Sequence, residues 1–348
     1  MTQIASRWVL SLPGLLTLLG LSAFSALFIG AYDLAMVEIW EAFINYFSAA
    51  EQSVHAYLLF HIRLPRIILA GLIGAGLAIS GAAIQGLFRN PLADPSLIGV
   101  TSGSMLFAVF SIVIGGAWMA TLGLWFQTLS LSVFAFLGGL TTTYLVYALS
   151  RRGGETSIMT MLLAGIAISA FAAAISGLFI NMSNDQQLRD ITFWTLGSVS
   201  GASWPQVMIA APIICIGSVI LVSFSQAFNA ILLGEKEAIY LGIEVEKVKS
   251  RVILLAALIV GVCISVSGLI GFIGLVIPHL IRLLKGTDYR YLLISSSLLG
   301  AIFMILADTI ARTIIAPGEL PIGILSAMVG APFFLWILIK TQRQQFML

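Results

Sequence analysis

The chain has 348 residues, of which 59% are hydrophobic and only 9% are charged, and its formal net charge is +2. Soluble domains carry about 25% charged residues, so this composition excludes a soluble protein, and the small net charge argues against a nucleic-acid partner. The mean hydropathy is +1.06, and the apolar runs are continuous, without the alternation of strands. We therefore expect an all-α integral membrane protein with a single transmembrane domain over residues 1–348.

Apolar runs between charges and turn residues predict about ten spans, each close to the roughly 20 residues that a membrane helix needs. The spans are expected near 9–31, 64–88, 96–118, 122–149, 157–180, 203–226, 251–267, 275–285, 291–314 and 321–340. The run from Trp8 to Ala31 is long enough to cross, whereas the apolar core of a signal peptide has only about 7–15 residues. Residues 191–202 predict a short interfacial helix instead of a span.

An even number of spans places both termini on the same side of the membrane. If that side is the cytoplasm, all but four of the 17 lysines and arginines lie at cytoplasmic ends and loops, as the positive-inside rule requires. The four that face outward are Arg63, Arg66, Arg189 and Arg312. The charge distribution thus predicts a multi-pass protein embedded in lipid, with both termini in the cytoplasm.

Two segments outside the spans are long enough to have structure of their own. Residues 32–62 predict an outer loop that contains a short amphipathic helix. Residues 229–250 form the longest and most charged inner segment, with two short helical patterns separated at Gly242. This inner segment is either a solvated connector or a docking element for a cytoplasmic partner.

A weak repeat relates the two halves of the chain. Ser80-Gly81 is followed by Pro91, and Ser267-Gly268 is followed at the same spacing by Pro278. The two copies run in opposite directions, which predicts an inverted-topology repeat of spans two to five and seven to ten. Residues 252–281 carry no charge and are too long for one span and too short for two. We expect a glycine-rich turn at 268–274, followed by a short eighth helix with Pro278 in its first turn.

Few side chains in the spans carry chemistry. Asp308 and Arg312 are four residues apart and are expected to pair on one helix face. Ala70, Gly74 and Ala78 form a small-residue face, either for helix packing or as a pore lining.

Several motifs of enzymes and metal proteins are missing from the sequence. His279, Cys215 and Cys263 are expected to be packing residues, and no metal site is expected. The sequence has no GxxxxGK phosphate loop, so ATP and Mg²⁺ would have to bind to a separate chain.

Five motifs, in order along nearly the whole chain, resemble the FecCD-type permeases. They are "RLPRIILAGLIGAGLAISGAAIQGLFRNPLADPSLIGVTSG" (63–103), "LGEKEAIYLGI" (233–243), "GFIGLVIPHLIRLLKGTDYR" (271–290), "ADTIAR" (307–312) and "ELPIGILSAMVGAPFFLWIL" (319–338). These permeases are the membrane subunits of ABC importers for iron-siderophores, haem and vitamin B12. The resemblance implies a homodimer with ten helices per subunit, a path at the dimer interface, two cytoplasmic ATPase subunits and a periplasmic binding protein.

The resemblance also implies roles for particular residues. Arg63, Arg66 and Arg312 are expected to receive acidic side chains of the binding protein. The translocation path is expected near Gly81, Gly268, Gly271 and Pro278, with Arg189, Phe193 and Trp194 from a segment (185–204) that resembles the haem-importing branch. The loop that contacts the ATPase is expected to include Leu233, Gly234, Glu235, Lys236, Glu237, Ala238, Leu241 and Gly242. Thr156 and Ser157 are the candidate gate, although the pair stands two residues earlier than in the family relative to the following "LLAG".

The expected function is therefore a permease subunit, without an ATPase site of its own, that imports an iron-containing or corrinoid chelate, with haem as the first candidate. Vitamin B12 and ferric siderophores are alternatives within the same family. A secondary transporter driven by an ion gradient is the alternative from another class, but it would require ionisable groups at mid-membrane. An intramembrane enzyme would require a nucleophile–base or metal constellation that the sequence lacks.

Overall fold

The computed structural model describes residues 11–30, 32–47, 53–115, 124–316 and 318–345. The described residues form fourteen helices and one two-stranded hairpin. The helices are α1 (Leu12–Phe28), α2 (Met36–Phe47), α3 (Val54–Leu87), α4 (Val100–Gly115), α5 (Leu124–Ser150), α6 (Ile158–Met182), α7 (Asp185–Leu196), α8 (Trp204–Ser223), α9 (Ser225–Leu233), α10 (Glu235–Tyr240), α11 (Val245–Ser267), α12 (Ile273–Lys285), α13 (Tyr289–Ile314) and α14 (Ile322–Gln345). Strands β1 (Arg151–Arg152) and β2 (Glu155–Thr156) pair antiparallel between α5 and α6.

The all-α fold is confirmed, and each of the ten predicted spans has a corresponding helix. In chain order these helices are α1, α3, α4, α5, α6, α8, α11, α12, α13 and α14. Within the described residues, α3, α5, α6, α8, α11 and α13 are long and apolar enough to cross a membrane. The start of the first predicted span, before residue 11, and residues 116–123 lie outside the described residues.

Two predicted helix starts are wrong in the same direction. Helix α3 begins at Val54 instead of 64 and passes through a π-helical stretch at Leu58–Arg63, so the predicted outer loop at 32–62 is shorter than expected. Helix α11 begins at Val245 instead of 251. In both cases the apolar run stops at charged residues, whereas the helix continues past them because Lys, Arg and Glu are good helix formers.

The predicted short helices are present, with shifted bounds. The short amphipathic helix that was expected within residues 32–62 is α2. The interfacial helix α7 covers Asp185–Leu196 instead of 191–202, because Asn184 and Gln187 form a reciprocal capping box at its start. The inner segment turns at Gly242 as predicted, but Gly234 provides a second break, and the second helical pattern is the first two turns of α11.

The two halves share a pattern of helix lengths. Helices α3, α4, α5 and α6 are long, short, long and long, and α11, α12, α13 and α14 repeat that order. In this repeat α11 corresponds to α3, and α13 corresponds to α5. Helix α3 packs on α13, and α11 packs on α5, as an inverted repeat requires. The motif that suggested the repeat is nevertheless not equivalent in the two halves. Gly268 ends α11, whereas Gly81 lies inside the unbroken helix α3.

Small residues set the closest contact in the bundle. A Cβ added to Gly74 of α3 would overlap the carbonyl of Gly300 in α13, and one added to Gly300 would overlap Gly74. Ala70 and Ala78 on the same face of α3 are fully buried. The face is therefore a helix-packing surface, as small residues allow in lipid. Cys263 is buried as predicted, but Cys215 is exposed on α8.

Candidate functional site

Three arginines lie together near the start of α3 and the end of α13. Arg63 is 3% exposed, and Arg66 and Arg312 are each 5% exposed. We refer to these three residues as the arginine cluster. The structure therefore brings the three predicted docking residues together, with their guanidinium groups buried instead of extended into solvent.

Arg66 is held between two carboxylates. Its Nη2 lies 2.9 Å from Asp308 Oδ1, and its Nη1 lies 2.8 Å from Glu319 Oε1. The predicted pair of Asp308 with Arg312 is therefore wrong: Asp308 is bound by Arg66 from another helix. The close antiparallel contact of α3 and α13 brings Arg66 to Asp308, and a guanidinium that donates two parallel bonds satisfies a buried carboxylate well.

The other two members of the cluster bind backbone carbonyls at the end of α1. Arg63 donates to the carbonyl oxygens of Leu27, Phe28 and Tyr32. Arg312 Nη2 donates to the carbonyl oxygen of Ala26 at 2.6 Å. The last carbonyls of a helix have no partner within the helix, and cationic side chains are favourable there. The cluster thus closes the end of α1, and its docking role stays a prediction.

The predicted helix break lies at 268–272. Gly268 ends α11 with φ +69°, and Phe272 caps α12 with φ +68°, a conformation that side chains rarely adopt. Because α12 begins at Ile273, Pro278 lies in its second turn and not in its first. A proline there cannot donate to the carbonyl of residue 274.

Gln85 of α3 compensates for that missing donor. Its Nε2 donates to the carbonyl oxygen of Gly274 at 3.2 Å and its Oε1 accepts from Arg282 Nη1 at 3.0 Å. Gly81 lies one turn earlier on α3. Because it has no side chain, the Gly274 carbonyl can approach α3 closely, whereas a Cβ at this position would overlap it. Sequence reasoning missed Gln85, although a lone amide inside an apolar span was a usable signal.

A three-way glycine junction connects α7 to the break. A Cβ on Gly268 would overlap the carbonyl oxygen of Trp194, and one on Gly323 would overlap that of Leu196. Ser198 N–H donates to the carbonyl oxygen of Ser267 at 2.8 Å. The end of α7, the end of α11 and the start of α14 therefore meet at their backbones.

The three path residues predicted on α7 differ in their surroundings. Trp194 is half-buried and packs on the core, while Arg189 and Phe193 are exposed. Arg189 donates to Gln186 of the same helix at 3.1 Å. Only the two exposed side chains are therefore free to meet a solute.

A cavity of about 300 Å³ lies beside the helix break. It is lined by residues that include Leu77, Asp94, Thr101, Gly271 and Phe272. Gly271 thus faces open space, whereas Gly81 and Gly268 are in helix contacts. The cavity is at the lower end of the size of ligand pockets, about 300–1,000 Å³.

Helices α9 and α10 form the predicted inner docking segment. Of its predicted residues, Gly234 and Ala238 are buried and Glu235 is half-buried. The other predicted residues are exposed, namely Leu233, Lys236, Glu237, Leu241 and Gly242.

This segment has an exposed apolar edge, formed by Leu233, Ile239, Tyr240 and Leu241. Tyr240 is 90% exposed. An apolar edge among charged residues is typical of an interaction surface.

The same segment is hydrogen-bonded to the start of α13. Asn229 of α9 donates through Nδ2 to Asp288 Oδ1 at 2.8 Å, and its Oδ1 accepts from Tyr289 N–H at 2.9 Å. The hydrogen bond from Asn229, together with the one from the Arg290 N–H, lowers the pKa of Asp288. Tyr289 is fully buried, and its hydroxyl accepts from Arg282 at 3.2 Å. A polar path thus runs from α9 to Arg282 and Gln85 beside the helix break.

The candidate gate residues lie at the start of α6. Ser157 is the N-cap of this helix, and its Oγ accepts from Thr160 N–H at 3.3 Å. Thr156 belongs to strand β2, and its N–H donates to Glu246 Oε2 of α11 at 2.8 Å. Lys249 Nζ lies 3.4 Å from the carbonyl oxygen of Thr156. A gating role for the two residues stays a prediction.

The long and short helices, the broken segment and the exposed inner edge define a permease-type membrane protein. The FecCD transport family matches residues 17–340, and the chain belongs to this family. The hemin transport system permease protein HmuU of Yersinia pestis is 40% identical over 97% of each chain. The cobalamin import system permease protein BtuC of Halobacterium salinarum is 38% identical over 80% of this chain and 72% of its own length.

A solved structure shows the same fold. It is an inward-facing conformation of a metal-chelate type ABC transporter, with a TM-score of 0.81, 35% identity, and coverage of 94% of this chain and 98% of its own. The chain is accordingly a permease of an ABC importer.

Proposed function

We propose that this chain is the membrane subunit of an ATP-driven importer that moves an iron-containing or corrinoid chelate, with haem as the first candidate, from the periplasm into the cytoplasm. The observation that carries the choice of haem is the 40% identity to a hemin permease over 97% of both chains. The relative named for cobalamin import, at 38% identity, supports vitamin B12 as the second candidate.

We propose that two copies of the chain form the path between them. In the described residues, the cavity at the break has about 300 Å³, the lower end of the size of ligand pockets. Helix α6 keeps large apolar side chains on an exposed face, among them Leu163, Phe171 and Leu178. Such a face contacts either lipid or a second chain, and a path at a dimer interface leaves room for a bulky chelate.

We propose three kinds of partner besides the second copy. The apolar edge of α9 and α10 contacts two cytoplasmic ATPase subunits, which bind ATP and Mg²⁺. A periplasmic binding protein docks at the arginine cluster, where Glu319 has a side chain 36% exposed and is the acid that an incoming carboxylate can displace from Arg66. The membrane is the bacterial inner membrane, with both termini in the cytoplasm, in agreement with the distribution of lysine and arginine.

The test is ATP-dependent uptake by the full complex in proteoliposomes, with haem, cobalamin and a ferric siderophore in competition. We expect haem to accumulate and only unlabelled haem to compete. The control replaces ATP by a non-hydrolysable analogue. ATP-dependent accumulation of cobalamin or the siderophore, with haem excluded, would reject haem as the substrate and keep the class of transporter.

A further inference from the structure

Lys249 is a buried lysine that joins three separate elements. It is 3% exposed, and its Nζ lies 2.8 Å from Glu235 Oε2 in α10 and 3.0 Å from Glu246 Oε1 one turn earlier in α11. The same nitrogen lies 3.4 Å from the carbonyl oxygen of Thr156 in β2. A buried ammonium requires such partners, since desolvation of an unpaired charge is unfavourable.

Glu246 provides a second link to the same strand. One of its carboxylate oxygens binds Lys249, and the other accepts from Thr156 N–H at 2.8 Å. Helix α11 therefore holds both backbone groups of Thr156. These two hydrogen bonds connect the β1–β2 hairpin to α11 in the described part of the chain. At the tip of the hairpin, Gly153 and Gly154 have open space around them.

We propose that Lys249 is a positioning residue that transmits the movement of α10 to the inner end of α6. This inference rests on the proposed function, in which α10 contacts the ATPase. If the ATPase displaces α10, Glu235 moves with it, and separating Glu235 from Lys249 would remove one of the two carboxylates that neutralise this buried ammonium. The three elements therefore move together. Thr156 directly precedes Ser157, the N-cap of α6, so the displacement reaches this helix.

The sharpest variant is Glu235→Gln, which weakens only the contact between α10 and Lys249. The side chain of Glu235 is 38% exposed, so the substitution does not create a buried unpaired group. Glu244→Gln is the matched control, because Glu244 is exposed and pairs with Lys247 instead of Lys249. Lys249→Met removes the centre of the junction, and Lys247→Met is its exposed control.

The first measurement is hydrogen exchange of the purified full chain. We expect Glu235→Gln and Lys249→Met to speed exchange of the backbone amides at 155–160 by about tenfold, although Glu235 is far away in the sequence. The two controls should leave this segment at the wild-type rate. Unchanged exchange at 155–160 in both test variants would overturn the proposal, whatever the transported substrate is.

The second measurement is the amount of chelate transported per ATP hydrolysed by the full complex, using whichever chelate the wild type transports. We expect Glu235→Gln and Lys249→Met to lower the chelate transported per ATP hydrolysed about tenfold. Lys249→Arg, which keeps the positive charge, should lower this ratio less than Lys249→Met. Equal ratios in Glu235→Gln and Glu244→Gln would reject transmission through Lys249. Lack of ATP-driven transport by the wild type would instead count against the proposed function.

Discussion

At the scale of single residues, the arginine cluster shows how one guanidinium is shared between two acids. Asp308 has a side chain that is 2% exposed, whereas that of Glu319 is 36% exposed. Asp308 is therefore the structural partner of Arg66, because a buried carboxylate needs its cation. Glu319 can exchange its contact with Arg66 for water or for another carboxylate.

This difference leads to a prediction for Glu319→Gln. Removing the Glu319 charge leaves Arg66 with a single anionic partner in the described residues, so a carboxylate of the binding protein is bound more tightly. We expect the dissociation constant for the binding protein to fall about threefold to tenfold, as for other close charge pairs across an interface. Surface plasmon resonance with the permease in nanodiscs measures it.

The control for this prediction is Glu41→Gln, which removes an exposed acid of α2 without touching the arginine cluster. Equal affinities of the two variants would show that Arg66 serves only to hold α3 and α13 together. A weaker affinity of Glu319→Gln would mean that Glu319 itself contacts the partner.

Residue contacts were the part of the site least accessible from the sequence. The four-residue spacing of Asp308 and Arg312 allowed a pair, but spacing on one helix contains no information about a competing arginine on another. The hydrogen bonds of Gln85 depend on a proline in α12 that lies far along the chain. Both contacts follow from the packing of α3, which glycines at 74 and 81 make close.

At the scale of elements, α10 presents the exposed apolar edge that the ATPase is proposed to meet. Ile239 and Leu241 flank Tyr240, and all three are more than half exposed. Apolar and aromatic side chains that become buried supply much of the binding free energy of an interface. Tyr240 is thus the best candidate for the main anchor.

We predict that Tyr240→Ala weakens ATPase association at least tenfold, about the effect of losing one hot-spot residue. Because Tyr240 has few contacts within the chain, the thermal stability of the free permease should stay unchanged. Co-purification with the ATPase at varied concentrations measures the association. Tyr144→Ala, at a 69% exposed tyrosine of α5, is the control. If the Tyr240→Ala variant and the wild type bind the ATPase at the same concentration, the main contact lies elsewhere.

The number and order of the elements were predictable because each span is a continuous apolar run, and the structure keeps that order. The ends of α3 and α11 were not, because charged residues end an apolar run without ending a helix. The inverted repeat is visible in helix lengths, while the Gly81 and Gly268 motif that suggested it is a coincidence of local sequence. Helix packing, and not local motif, relates the two halves.

At the scale of the whole molecule, the buried charges lie near the ends of spans and are engaged there. Asp308 and Arg312 lie within the last two turns of α13, and Lys249 lies near the start of α11. Coupling to an ion gradient requires a group near mid-membrane that takes up and releases an ion. The buried charged side chains that the structure describes in the spans are bound to protein partners instead.

The last prediction follows from this distribution of charge and from the missing phosphate loop. The chain reconstituted alone should show no uptake under either a proton or a sodium gradient, because the buried charges in its described spans are bound to protein partners and its sequence has no phosphate loop. Adding the ATPase, the binding protein and ATP should raise uptake to at least tenfold above the leak, since ATP hydrolysis then supplies the free energy for transport. Proteoliposomes with labelled chelate measure both conditions, and empty liposomes give the leak. Accumulation by the chain alone that collapses with a protonophore would identify a secondary transporter and reject the ATP-driven mechanism.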